Sequence, residues 1–241
     1  MFDTAHIPET YFALATLLIL GDDLKRVRRR EILEGLRRSQ YEDGSFAPVL
    51  LGDGEKFGEV DVRHLYCAIA VRDILSPVKK EEDIDVPAVI RYIQRCKVFL
   101  FGDWLDVELR WGIRTKSAIG VSWLTLMEMD GLFAGGSTYC CIASLSMLRA
   151  LRTEDTEDTK RWLAGLQINS ETSSHGAFSG RVNKPADTCY SFWVGGALDV
   201  LHPYMRVDLD PWCATLYFSR VEQGVSPVPD TTSKIWWIWK V

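Results

Sequence analysis

Residues 180–193 hold the side chains best suited to chemistry: the cations Arg181 and Lys184 precede the pair Asp187 and Cys189. A carboxylate oxygen and a thiolate two residues apart can reach one metal ion, and Zn²⁺ accepts both donor types. The planar fork of Arg181 and the point charge of Lys184 suit a phosphate group beside that metal. The same spacing also suits a plainer arrangement, in which Asp187 caps a helix and Cys189 is buried in its apolar face. Spacing alone leaves both open.

The elements that must carry this segment form a repeat of helix pairs. Residues 11–20 are apolar nearly all round, the mark of a buried helix, and Gly21, Asp22 and Asp23 end it. Residues 26–40 follow as an amphipathic, basic helix with Val27, Ile32, Leu33 and Leu36 on its apolar side. The turn sequence 42–46 closes the pair. The order recurs as apolar 62–75 and amphipathic 86–96, apolar 137–151 and amphipathic 156–167, and apolar 188–201 and amphipathic 211–223. No segment reads as a strand. Four such pairs stack as an open solenoid or as a closed barrel, with the apolar helices inside and the amphipathic ones outside. In the closed form the aromatic side chains are expected to line a central cavity.

Each amphipathic helix ends near a glutamine (Gln40, Gln94, Gln167 and Gln223), with gaps of 54, 73 and 56 residues. The longer middle gap places an insertion at 97–130, which carries Trp104, Trp111 and Trp123. Such an apolar stretch is unusual for a surface loop, because loops are commonly short and polar.

Composition narrows the classes. The 241 residues are 47% hydrophobic with a net charge of -5, against the basic excess of a general nucleic-acid binder. Nine Trp and 11% aromatics fit a large apolar core or an aromatic-lined cavity. The longest apolar run, 11–20, is about half the ~20 residues of a membrane span. Asp3 and Glu9 stand where a signal peptide would be basic. Six cysteines without a secretory signal, four of them within apolar helical patterns, read as reduced thiols and a cytoplasmic setting.

The segment 180–193 resembles the zinc and diphosphate motif of protein prenyltransferase β subunits. Gly135, Gly136, Ser137, Thr138, Tyr139 and Cys140, followed by Ile142, Ala143, Ser144 and Leu145, resemble a second motif of that family. The opening from His6 through Val27 and the stretch 33–46 are most similar to the type I geranylgeranyl class. The resemblance covers about 1–96 and 131–221, and it implies an all-α fold, an α-α toroid of paired inner and outer helices. One domain then spans 1–241, with 97–130 and 223–241 unmatched. It further implies a heterodimer with a prenyltransferase α subunit. The activity implied is transfer of a geranylgeranyl group from geranylgeranyl diphosphate to the cysteine of a C-terminal CaaX motif, as on small GTPases.

By position, the resemblance makes Asp187 and Cys189 zinc ligands. Zinc would hold the substrate thiol, ordinarily of pKa ~8.5, as a thiolate. Arg181 and Lys184 match cations that face the leaving diphosphate, and Tyr190 matches a hydroxyl donor to it. Arg63, Tyr66, Cys140 and Trp193 match residues that line the isoprenoid tunnel. Plain core packing is the alternative for Tyr66, Cys140 and Trp193.

The sequence departs from the pattern at three places. The family has His before the Gly-Gly of its second motif, where this chain has Ala134. The family's third zinc ligand is a His in a Pro-Asp-x-x-His element, but here Pro229 and Asp230 are followed by Thr231, Thr232 and Ser233. The histidines present are His6, His64, His175 and His202, none in that context. The family barrel has six helix pairs, of which four are countable. The abrupt edges of 97–130 and 223–241 read as retained non-coding sequence and a chain cut short at both ends. A truncated or inactive β-like protein is therefore the second expectation. Farnesyltransferase and Rab geranylgeranyltransferase β subunits share the zinc motif. A terpene cyclase on the same toroid would need an acidic protonation motif, whereas Asp22, Asp23, Glu81, Glu82 and Asp83 read as helix-end polarity.

Overall fold

The computed structural model of the chain describes residues 4–77, 83–99, 111–113, 135–152, 157–168, 177–181 and 184–201. Ala134, His175, His202, the helix expected at 211–223, Gln223, Pro229, Asp230 and the unmatched end 223–241 lie outside them. So do Trp104, Trp123, Glu81, Glu82 and Cys213.

The described residues are mostly helical. Four apolar helices, α1 (Ile7–Ile19), α3 (Val62–Leu75), α5 (Gly135–Met147) and α7 (Thr188–Leu201), pack in a row, each on the next. The amphipathic helices are α2 (Arg29–Ser39), α4 (Val86–Cys96) and α6 (Glu157–Ala164), and α2 and α6 lie against α3 and α7. The helix types and order are those the hydrophobic pattern predicts, and the bounds of α3, α4 and α7 coincide with it. Pro8 starts α1 earlier than the pattern suggests, because its fixed φ suits the first turn.

Burial follows position in the row. Helix α3, with neighbours on both sides, buries Val62, Leu65, Cys67, Ala68, Ile69, Ala70, Val71 and Leu75 around its circumference. Helix α4 buries one stripe, Ala88, Val89, Tyr92, Ile93 and Cys96, which is what an outer helix requires. Helix α1 corrects an expectation. It is as apolar as a buried helix, yet only Ile7 and Leu14 are buried, while Phe12 and Ile19 are more than half exposed. Its only neighbour in the row is α3, so its outer stripe is left bare among the described residues.

The absence of strands is also corrected. Strands β1 (Ala5–His6), β2 (Val49–Leu50) and β3 (Lys56–Phe57) form an antiparallel sheet. Strands β4 (Lys97–Phe99) and β5 (Trp111–Ile113) pair across the long middle gap, Val98 opposite Gly112. These are linkers whose backbone groups find partners in one another. At two or three residues each, they are too short to leave a periodic signal in sequence.

Two of the glutamines that mark the repeat have a structural reason. Gln40 and Gln167 each form a backbone bridge to a phenylalanine, Phe46 and Phe178. Both phenylalanines are essentially inaccessible. The Gln40 side chain donates through Nε2 to the carbonyl of Asp85 at 3.0 Å and accepts from its N–H at 2.8 Å. Asp85 in turn accepts from Ala88 N at 2.9 Å in the first turn of α4. One repeat's outer helix is thereby clamped to the start of the next. The intervening turn lies so close to α4 that a Cβ on Gly44, at φ +92°, would meet the carbonyl oxygen of Ala88 at 2.1 Å. Of the acidic runs, Asp22 and Asp23 accept the N–H groups of Leu24 and Lys25 beyond the end of α1. Asp83 takes a two-point contact from Arg72 at 2.6 Å.

Candidate functional site

Asp187 stands immediately before α7, and its Oδ1 accepts the Cys189 N–H at 3.0 Å, so it caps that helix. Cys189 is exposed rather than buried in the helix face, which removes one half of the plain reading of the pair. The thiol and the carboxylate also lie near enough to act on one another. The two hydrogen bonds from Cys189, backbone first, hold the Asp187 carboxyl below its usual range. Loss of solvent contact and the Asp187 carboxylate push the Cys189 thiol up.

The cations come from the turn that leads into this cap. Ser179 bridges Ala186, and Asp187 N donates to Phe178 O at 3.1 Å, closing an antiparallel turn. Arg181 and Lys184 lie in that turn, joined by a bond from Lys184 N to Arg181 O at 3.3 Å. Arg181 is half-buried and Lys184 exposed.

The second motif is brought to the same corner. Gly135 N, at the start of α5, donates to Gly180 O at 2.9 Å. The Tyr190 ring lies directly against Gly180, where a Cβ would fall 2.1 Å from Cζ and 2.6 Å from the hydroxyl oxygen. A Cβ on Gly135 would fall 2.6 Å from Cγ2 of Val194 in α7. Both sites exclude a side chain. We expect Gly180→Ala to displace the Tyr190 ring and to cost about 1–3 kcal/mol of stability. Denaturant unfolding together with Tyr190 ring chemical shifts checks this. An unshifted ring would show that the backbone yields instead.

Of the other expected residues, Arg63 is exposed and Tyr66 and Trp193 are half-buried. Cys140 is buried at 2% exposure, and burial pushes its thiol up to about 12. Tyr66 and Trp193 are linked by a residue the sequence reading missed. Ring centroids run from Tyr11 to Tyr66, from Tyr66 to Tyr139 and from Tyr139 to Phe192, each step 5.6 Å. Trp193 stands 5.4 Å from Tyr139. Tyr11, Tyr66, Tyr139 and Phe192 are each the fifth residue of their helix. Aligning the four apolar helices by their starts would have revealed this ladder. The Tyr11 and Tyr66 hydroxyls lie 3.2 Å apart, and burial raises both above the usual phenol value.

His64 is a rim residue, with Nδ1 2.9 Å from the Glu59 carbonyl. No group of three His, Cys, Asp or Glu suited to one metal ion occurs among the described residues. A cavity of about 280 Å³ between α1, α2 and α3, lined in part by His6, Arg28 and Glu31, contains none of the expected residues.

A row of apolar helices backed by amphipathic ones, with its reactive side chains at the helix starts, matches the inner and outer layers of an α-α toroid. A sequence model of the prenyltransferase α-α toroid domain matches residues 1–102 and 129–233, and the chain belongs to that family. Its relatives there include β subunits. It is 34% identical over 213 residues to the geranylgeranyl transferase type-1 subunit beta of Dictyostelium discoideum, over 86% of this chain and 49% of the relative. The corresponding Arabidopsis thaliana subunit is 30% identical over 208 residues, covering 82% and 46%. The protein farnesyltransferase subunit beta of Pisum sativum is 28% identical over 199 residues, covering 81% and 39%. Among solved structures, Candida albicans protein geranylgeranyltransferase-I complexed with GGPP matches with a TM-score of 0.66 and 27% identity. That match covers 89% of this chain and 58% of the other. The chain spans about half the length of the curated relatives it matches.

Proposed function

We propose that the chain acts as the β subunit of a type I protein geranylgeranyltransferase, paired with a prenyltransferase α subunit. Its substrates would be geranylgeranyl diphosphate and proteins ending in a CaaX motif, small GTPases among them. The observation that carries this is the exposed Asp187–Cys189 pair, preceded on one turn by Arg181 and Lys184 and standing at the start of α7, one of the helices that bear the aromatic ladder. Among the described residues no helix is long and apolar enough to cross a membrane. The setting we assign is the cytoplasm.

The donor set of Asp187 and Cys189, an exposed carboxylate and an exposed thiol two residues apart at the start of α7, fits two positions of a zinc site. Zinc held there would supply the Lewis acidity that keeps a substrate thiol ionised at neutral pH. The remaining roles belong to the chain's own residues. Arg181 and Lys184 offer cations to the diphosphate, Tyr190, held against Gly180, offers it a hydroxyl, and Arg63 lines the isoprenoid tunnel. The ladder of Tyr11, Tyr66, Tyr139 and Phe192, with Trp193, supplies the apolar wall for the isoprenoid. In the transfer, the peptide sulfur forms a bond to C1 as the C1–O bond breaks. The electron pair leaves with the diphosphate, where fixed cations stabilise the growing charge.

Co-expression with an α subunit, followed by transfer of labelled geranylgeranyl to a peptide ending in Cys-a-a-Leu, tests this reading. Transfer to that peptide, dependent on its cysteine, is expected. Ala134, where the family has His, favours a second reading, a β-like protein without activity. Geranylgeranyl diphosphate binding with no transfer and no bound zinc would decide for the second.

A further inference from the structure

Helix α1 ends in three apolar residues that nothing covers among the described residues. Leu18, Ile19 and Leu20 are 38%, 61% and 77% exposed. Single exposed apolar side chains are ordinary, but three in succession call for a reason. The turn that follows runs Lys25, Arg26, Val27, Arg28, Arg29 and Arg30, with five cations in six positions and no acid among them. The whole chain has a net charge of -5, so this run stands against the balance of the molecule.

Both features lie at the rim opposite the Asp187–Cys189 pair. The aromatic ladder at the fifth residue of each helix puts the starts of α1, α3, α5 and α7 at one rim, so their ends share the other. Arg29 donates through Nη2 to the carbonyl of Ser76, just past the end of α3. The exposed Arg149, just past the end of α5, lies near enough to Asp73 of α3 to act on its carboxyl. Cations thus gather where α1, α3 and α5 end.

Helix ends draw cations on their own account, and Arg29 serves that need. Lys25 and Arg26 do not. Lys25 Nζ lies 2.6 Å from Asp23 and Arg26 Nη2 lies 3.5 Å from Asp22, with the two basic side chains 83% and 91% exposed. Exposed pairs of this kind are weak and give way readily to another anion. Arg28 and Arg30 are exposed as well. Even with Asp22, Asp23 and Glu31 counted, residues 22–31 hold five cations against three acids.

An apolar tip set beside cations matches the layering of an acidic lipid surface. Apolar side chains enter the headgroup and acyl boundary, and Lys and Arg meet the anionic headgroups above it. Their long stems cover apolar surface while their charges stay in water. A polyanion such as a nucleic acid would use the cations but leave Ile19 and Leu20 bare. No helix among the described residues is long and apolar enough to cross a membrane, so the contact is peripheral.

We propose that the turn between α1 and α2 docks the protein on an anionic phospholipid bilayer. Ile19 and Leu20 enter the interface, and Lys25, Arg26, Arg28 and Arg30 meet the acidic headgroups. Asp187 and Cys189, at the opposite rim, stay accessible. The proposal goes beyond the function given above and does not depend on it.

Co-sedimentation with phosphatidylcholine vesicles, with and without phosphatidylserine, tests it on the full chain, alone and assembled with an α subunit. Binding is expected only where phosphatidylserine is present, and it should fall as salt is added. The double variant Lys25→Gln, Arg26→Gln should bind about 30-fold more weakly, at roughly fivefold per cation. The double variant Ile19→Ser, Leu20→Ser should lose at least about tenfold at the same net charge. All four residues are exposed, so the Tm should hold. Phe57→Ser, which alters an exposed apolar residue of β3, should leave binding unchanged. Failure to bind phosphatidylserine vesicles would overturn the proposal. So would binding that survives Ile19→Ser, Leu20→Ser, or equally tight capture of an RNA oligonucleotide, since either reduces the turn to bare charge. Binding by the free chain that disappears on assembly would assign the face to the subunit contact instead. Prenyl transfer is not read in this assay, so failure of the catalytic reading leaves its result standing.

Discussion

Cys189→Ala is expected to lower prenyl transfer by at least about 100-fold and to reduce bound zinc, while the protein stays folded. Residues that only orient a metal ligand cost 10–100-fold when removed, so loss of a donor itself should cost no less. Stability should change little, because Cys189 is exposed and its part in the helix start is its backbone N–H. Asp187 needs a more careful substitution, since it has two jobs. Asp187→Ala would lose about 1 kcal/mol of capping besides the carboxylate. Asp187→Asn keeps the cap and removes the charge, so it should abolish transfer at an almost unchanged Tm. Zinc analysis and transfer rates on the two variants provide the measurement. Wild-type rates from either would remove the pair from the mechanism, whatever the family likeness.

Phe46→Ala is expected to cost about 3–5 kcal/mol, the range for deleting a fully enclosed aromatic ring. Phe46 has no exposed surface, and it is pinned by the backbone bridge to Gln40 after α2. Domains of this kind hold roughly 5–15 kcal/mol in all, so one such cavity takes a large share. Denaturant unfolding should show a lower midpoint at unchanged slope. A loss below about 1 kcal/mol would mean that the turn after α2 folds back to fill the space. Phe178, the counterpart of Phe46 after α6, makes a second trial with a functional reading. Its carbonyl accepts the Asp187 N–H, so a shift there should disturb the Asp187–Cys189 pair as well as stability.

Much of the molecule was legible because it is built from local repeats. The run 62–75 is apolar on most sides and 86–96 is apolar on one side, and these patterns alone give the two kinds of helix. The glutamine phase was legible too, although its cause was not. Only the structure shows Gln40 clamping Asp85, a contact across 45 residues. The short strands escaped because two or three paired residues carry no period. The aromatic ladder escaped for a different reason: its members are one per helix, and each looks like an ordinary core residue until the helices are aligned by their starts.

The chain's own order of residues determined the helix types, the repeat and the chemistry available at 180–193, since these depend on neighbours a few positions apart. Tertiary structure decided which of those side chains are usable. It left Cys189 open and buried Cys140, set Tyr190 against Gly180, and joined Gly135 to Gly180 so that two distant motifs share one corner. It also left the outer stripe of α1 uncovered, which composition could not foretell. A side chain's exposure depends on what stacks against its helix. That is fixed by contacts such as Tyr11 to Tyr66, 55 residues apart, rather than by the sequence on either side.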